Sequence, residues 1–193
     1  MHTYFTGFDS HDSNQLQKLI YMTRINLVDV KDLADQHLMA EYREIKMIPP
    51  ALRRSIIATQ KNMGRTQYHN DLTSLVLLSN RIPHTYTLNE GHVTFFYDKM
   101  SFLKERYELL QNELLTRNFA ISHLGDYTEF THDLHECWHN DYKPTSIETQ
   151  VNIDRIVQRL NEKPTFYRYH GDVVPPSFFE DRYKHQTLVD VLS

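Results

Sequence analysis

The chain has 193 residues, 40% of them hydrophobic and 24% charged, which suits one domain with a real core and is short for two. No run approaches the length of a transmembrane helix, and the single cysteine, Cys137, excludes an intramolecular disulfide and favours an intracellular compartment. A net charge of −4 argues weakly against nucleic acid as a partner of the whole surface, so location of charge matters more than its sum.

The first 21 residues are polar and mixed, with His2, Asp9, His11 and Asp12. They lack the basic start and apolar core of a secretory signal. Met22 followed by Thr23 has the form of an initiator methionine and a small penultimate residue, the pair from which methionine is normally trimmed. Residues 1–21 are therefore expected to be an extension or upstream sequence included by an over-early start. Trimming would expose the α-amine of Thr23, whose ordinary pKa of about 7.7 to 8.0 leaves roughly one molecule in ten uncharged at neutral pH. A neutral amine attacks carbonyl-like carbon and forms a Schiff base.

Asp32, or Asp35 one turn on, can cap a helix whose apolar positions Leu38, Tyr42 and Ile45 recur at helical spacing. His37, Glu41 and Glu44 share one face of it. That face is either a solvated one with ion pairs to Arg43, or an imidazole and two carboxylates gathered for chemistry. Pro49 and Pro50 close this segment and can open another over Ala51 to Thr59. Between residues 43 and 65, Arg43, Lys46, Arg53, Arg54, Lys61 and Arg65 stand against Glu44 alone, a local excess that suits either a phosphate backbone or a soluble helix face.

Residues 60–90 are rich in Asn, Thr and Ser around Leu75 to Leu78, and Pro83 interrupts them. A long helix is expected from Thr94 to Thr116, with Phe95, Phe102, Leu103, Leu109, Leu110 and Leu114 toward the core. The segment His135, Glu136, Cys137, Trp138, His139 fits the H-E-x-x-H pattern of zinc hydrolases. Asn140 to Pro144 breaks any helix soon after it, so zinc catalysis stands only as a minor alternative. Thr145 and Glu148 form a capping-box pair after Pro144, and Pro164 stops the helix beyond Lys163. Ile147, Val151, Ile156, Val157 and Leu160 would be its buried side. The tail from Asp172, with Pro175, Pro176, Phe178 and Phe179, either packs across the domain or stays mobile.

Three blocks carry a resemblance. They are Met22 to Leu27 continued by Ala34 to Glu44, then Gly91 to Lys99, then Lys163 to Gly171. Together they resemble phage-type endonuclease V, the pyrimidine-dimer DNA glycosylase with AP-lyase activity. The likeness covers about residues 22–171, leaving 172–193 as a tail of unknown role, and ungapped matches of this length are far more specific than a short motif. It departs from the family at Met47, Phe166, Arg168 and His170, and in its acidic net charge.

The resemblance implies a mainly α fold, a compact single domain of three principal helices with long irregular connections. It implies Thr23 as nucleophile and Glu44 as the carboxylate that assists it, and it puts Arg24, His37, Arg43, Arg155, Arg159, Tyr167, Arg168 and Tyr169 on the DNA. It further implies no metal or organic cofactor, double-stranded DNA containing pyrimidine dimers as partner, a monomer away from membranes, and a cytoplasmic, nucleoid-associated or virus-encoded setting. If residues 1–21 are retained, the nitrogen of Thr23 is an amide, and a non-catalytic damaged-DNA-binding protein is the alternative.

Overall fold

The computed structural model describes residues 25–64, 72–89 and 91–192, the last eight of these as backbone alone. An irregular segment from Ile25 to Val28 leads into a 3-10 turn, Val30–Asp32, and then helix α1, Asp35–Glu44. A second 3-10 turn, Ile45–Met47, joins α1 to α2, Ile48–Asn62. There follow α3, Leu72–Ser79; α4, His92–Phe95; α5, Met100–Thr116; and α6, Ser146–Glu162. A two-residue hairpin, β1 Arg168–Tyr169 with β2 Asp172–Val173, precedes α7, Pro176–Leu192. The protein is mainly α.

One apolar core runs through these helices. Leu38, Tyr42, Ile45, Ile48, Leu52, Leu103, Tyr107, Leu110 and Leu114 are all buried, as α1 packs on α5 and α2 packs on α3. Pro49 and Pro50 sit inside the first turn of α2, where a missing N–H leaves no orphan. The helix therefore opens three residues before the Ala51 expected from the sequence.

The helix expected over Thr94 to Thr116 is broken. Lys99 adopts φ −122°, ψ 40°, outside the helical region, because the backbone here serves another partner. The Asn140 N–H donates to the Asp98 carbonyl at 3.1 Å, and Lys99 forms a bridge with His139. On α5 the buried stripe is Met100, Leu103, Arg106, Tyr107, Leu110, Glu113 and Leu114, so Leu109 falls beside it and is exposed, against expectation.

Helix α6 has the expected start. The Glu148 N–H donates to the Thr145 hydroxyl at 3.2 Å, and the Thr145 N–H donates to the Glu148 carboxylate at 3.0 Å. Its buried side differs from the expected one. Thr149, Asn152, Ile153, Ile156 and Leu160 face inward, while Ile147 is 76% exposed. Neither Asp32 nor Asp35 caps α1, whose N-cap is Ala34 with no side-chain bond. Asp35 instead accepts the N–H groups of His170 and Gly171, and Asp32 accepts from Arg182 at 2.7 Å. The tail is ordered onto the domain, since α7 packs on α6 and buries Phe179 and Tyr183.

Candidate active site

The segment Ile25 to Val28 has no strand partner among the described residues, yet it is buried: Ile25 and Val28 are fully so, and Asn26 nearly so. Buried backbone polar groups demand partners, and here five side chains from elsewhere in the chain supply them. The Ile25 N–H donates to His92 Nε2 at 3.0 Å, and its carbonyl accepts from the Tyr86 hydroxyl at 3.1 Å. The Asn26 N–H donates to Glu41 Oε1 at 3.1 Å. The Leu27 N–H donates to Asn152 Oδ1 at 2.9 Å, and the Val28 carbonyl accepts from Arg106 Nη1 at 2.6 Å.

His92 can accept only through an unprotonated Nε2, which places its proton on Nδ1, 2.5 Å from the Thr87 carbonyl. Gly91, at φ 94°, supplies the left-handed turn ahead of α4 that side-chain-bearing residues rarely adopt. Its Cβ would stand 3.1 Å from Pro83 Cγ. Asn152 closes the arrangement by donating through Nδ2 to Asn26 Oδ1 at 3.3 Å and to the Tyr86 hydroxyl at 3.2 Å. Burial pushes the Tyr86 hydroxyl well above its ordinary pKa, and the Glu41 charge adds to the effect, so this group stays a neutral donor.

Glu41 is fully buried, which excludes the solvated face that its helical spacing also allows. Its two oxygens accept four donors: Asn26 N, Asn26 Nδ2, Arg106 Nε and Arg106 Nη2. That fills the acceptor capacity of a carboxylate and leaves none for a proton in transfer. Glu44, one turn further on, is half-buried at the end of α1.

Asn26, His37, His92, Asn152, Arg155 and Arg159 line a common cleft. Three of the DNA-binding candidates thus meet beside the N-terminal segment. His37 is buried, with its ring 4.6 Å from that of Tyr167, itself buried. Arg155 donates to Gln158 at 2.9 Å, and Arg159 lies 3.7 Å from Glu162, both bonds within the outer face of α6. Arg43 and Arg168 line a second groove with Gln36, Met39 and Phe119, and Gln36 ties it to the hairpin by accepting from the Arg168 N–H.

Tyr169 belongs to neither. Its ring lies between the guanidinium groups of Arg117 and Arg182, each 4.8 Å from the centroid, and its hydroxyl donates to the Lys31 carbonyl. Thr23 and Arg24 lie outside the described residues. Of the excess basic residues near α2, Arg53 is committed to Asp133 and the Phe130 carbonyl, and Lys46 covers the Tyr42 ring at 4.0 Å.

The H-E-x-x-H segment is not an α-helix. Glu136–Trp138 is a 3-10 turn, His135 Nδ1 accepts the Cys137 N–H, and His139 lies at the turn's end. The two imidazoles therefore lack the shared helical face that the zinc pattern needs. Among the described residues no group of three His, Cys, Asp or Glu side chains could hold a metal ion.

The fold and the cleft define a small helical protein whose cationic side chains gather beside one buried N-terminal segment. A family model described as pyrimidine dimer DNA glycosylase matches residues 22–125, more than half of the chain, and the chain belongs to that family. It is a DNA repair glycosylase, and its substrate is DNA containing pyrimidine dimers. The matched range takes in Thr23, Arg24, His37, Arg43 and Glu44, while Arg155, Arg159 and Tyr167 to Tyr169 lie beyond it. Among the described residues no helix is long and apolar enough to cross a membrane.

Sequence reasoning did not name Arg106, Asn152 or Tyr86 as builders of this site. Each is between 61 and 126 residues from its partner in the N-terminal segment, and nothing local marks it. His92 had a signal, its place in the block Gly91 to Lys99, without a role attached.

Proposed function

We propose that the chain cleaves the glycosidic bond of the 5′ pyrimidine in a cyclobutane dimer, whose base stays joined to its 3′ neighbour through the cyclobutane ring, and then cleaves the strand, using the α-amine of Thr23 after residues 1–22 are lost. The observation that carries this reading is the buried Ile25 to Val28 segment beside the cleft. Two residues of extended chain reach about 7 Å, so a free amine on Thr23 would stand within that distance of Ile25.

The neutral amine attacks the sugar C1′, and the glycosidic bond breaks with its electron pair leaving on the base, which takes up a proton. Opening of the sugar ring gives the imine. Loss of the C2′ proton then expels the 3′ phosphate oxygen by β-elimination. Glu44 acts twice, first as a negative charge near the oxocarbenium-like centre and then as the base at C2′. Its neighbour Glu41, saturated by four donors, is left to hold structure. Arg24, Arg43, Arg155, Arg159 and Arg168 hold phosphates and fix the register, with His37 beside them. Tyr167 supports the His37 ring, and Tyr169 supports the hairpin that carries Arg168. A dimer's weakened pairing lowers the deformation needed to reach C1′.

The test compares a chain beginning at Thr23 with the 193-residue chain, both incubated with dimer-containing duplex and borohydride. The shorter chain is expected to be trapped covalently, with mass spectrometry placing the bond on the Thr23 nitrogen. The longer chain is expected to resist trapping, because an amide nitrogen is not nucleophilic. Equal trapping of both, without proteolytic trimming, would move the nucleophile to another group. Binding by both with trapping of neither would leave the non-catalytic damaged-DNA-binding alternative.

A further inference from the structure

The hydrogen bonds around Ile25 to Val28 do more than satisfy a buried backbone. A peptide segment in a sheet is located by a neighbouring strand, whose own backbone repeats the same geometry along its length. Here the neighbour is replaced by five side chains, each from a different point in the sequence: Glu41 on α1, Tyr86 before α4, His92 on α4, Arg106 on α5 and Asn152 on α6. The segment is thus held at each of its four residues by side chains from separate parts of the fold.

We propose that Glu41, Tyr86, His92, Arg106 and Asn152 are positioning residues for the reaction, acting through the backbone of Ile25 to Val28 to fix the Thr23 amine over the sugar. The proposal rests on the reading of Thr23 as nucleophile. Its physical core is that an amine at the end of a chain has no side chain of its own to orient it, so its placement depends on how tightly the following residues are held. A displacement of about 1 Å at a reacting atom can cost on the order of a hundredfold in rate.

Two of the five are too deep to touch DNA. Glu41 is fully buried and Arg106 is 6% exposed, and neither lines the cleft. Any effect of Glu41 on the reaction must travel through what it holds, and it holds Asn26 twice, by the backbone N–H and by the side-chain amide. Arg106 then couples Glu41 to the Val28 carbonyl, so Asn26 and Val28 answer to one ion pair.

The test uses the chain beginning at Thr23, which retains every described residue, with Glu41→Gln and Tyr86→Phe variants. Glutamine keeps the shape of Glu41 but presents an N–H group where Asn26 and Arg106 also donate. Phenylalanine removes only the hydroxyl, and guards against the case in which Glu41→Gln fails to fold. Three quantities are measured: borohydride trapping rate at saturating dimer DNA, the DNA concentration giving half-maximal trapping, and hydrogen exchange at the amides of Ile25, Asn26 and Leu27 in the free protein. The expected result is a trapping rate lower by about a hundredfold in Glu41→Gln and by about fivefold in Tyr86→Phe. The half-maximal DNA concentration should be unchanged, and faster amide exchange should parallel the slower trapping. Folded variants that trap at the parental rate would overturn the proposal, as would losses that merely track the unfolded fraction. A parental chain trapped at some nitrogen other than Thr23 would defeat the Thr23 reading instead, a result the mass of the adduct identifies separately.

Discussion

Two buried arginines, Arg106 on α5 and Arg117 at its C-cap, use the same chemistry for different ends. Arg106 and Arg117 are 11 residues apart, about three helical turns, and are 6% and 8% exposed. Each pairs with carboxylates and donates to carbonyls of the irregular stretch before α1. Arg106 holds Glu41 and the Val28 carbonyl. Arg117 holds Glu113, Asp35 and the carbonyls of Leu33 and Lys31. From Arg106 the polar contacts continue through Asn26 and Asn152 into the cleft. From Arg117 they continue through Asp35 to the hairpin, and by ring contact through Tyr169 to Arg182 and α7. A buried ion pair is weak evidence for stability, because desolvation offsets much of its attraction. What both arginines provide is location for a backbone that lacks a sheet, and only one of them locates the end that the proposed reaction uses.

The largest expected effect sets the scale for that contrast. Glu44→Gln keeps size and hydrogen-bonding shape but removes the charge, and strand cleavage is expected to fall about a thousandfold while affinity for dimer DNA and thermal stability hold. Nicking and binding measured on one dimer-containing duplex decide it. Cleavage near the parental rate would take Glu44 out of the mechanism.

Arg117→Met should show the opposite profile. It leaves Asp35 and Glu113 buried without their cation, and removal of one partner from a buried pair costs about 3 kcal/mol or more. Chemical denaturation should record that loss, while the trapping rate per folded molecule stays unchanged. A slowed reaction in fully folded Arg117→Met would mean that the two arginines do not divide the work as their contacts suggest.

The same division explains what was legible in the sequence. Helix α1, the capping box of Thr145 and Glu148, and the core positions Leu38, Tyr42 and Ile45 follow from spacing and local hydrogen bonding, and these stand in the structure as expected. The buried side of α6 did not follow. A count of apolar residues turns Ile147 and Val151 inward, whereas the helix is rotated to bring Asn152 and Thr149 inside. Asn152 is needed by Leu27 and Asn26, residues 125 and 126 positions away, and a polar side chain recruited over that distance leaves no periodic trace. Leu109 was misplaced for a related reason, since Arg106 and Glu113 occupy buried positions on α5 that an apolar pattern would assign to solvent. The candidate residues on α1 and α6 were readable through the resemblance, but their arrangement around one backbone segment was not.

The smallest effect gives the finest test, because two tyrosine hydroxyls make nearly the same bond at the two ends of the irregular stretch. Tyr86 donates to the Ile25 carbonyl at 3.1 Å, and Tyr183 on α7 donates to the Asp32 carbonyl at 3.1 Å. Both are buried, and burial raises the pKa of both hydroxyls, so each is a neutral donor near pH 7. Removing the Tyr183 hydroxyl leaves the Asp32 carbonyl less well satisfied, a loss of about 1 kcal/mol, whereas removing the Tyr86 hydroxyl does the same to the Ile25 carbonyl and also takes an acceptor from Asn152 Nδ2. Tyr183→Phe should therefore lower stability by no more than Tyr86→Phe does. It should leave trapping untouched, because Asp32 is on the Arg117 side and the chain between it and Thr23 is held independently by Arg106, Glu41 and Asn152. Matched denaturation and single-turnover trapping of the two variants separate the cases. Equal slowing by both would show that the stretch from Ile25 to Leu33 moves as one body, and the distinction between its two arginines would then be one of sequence position alone.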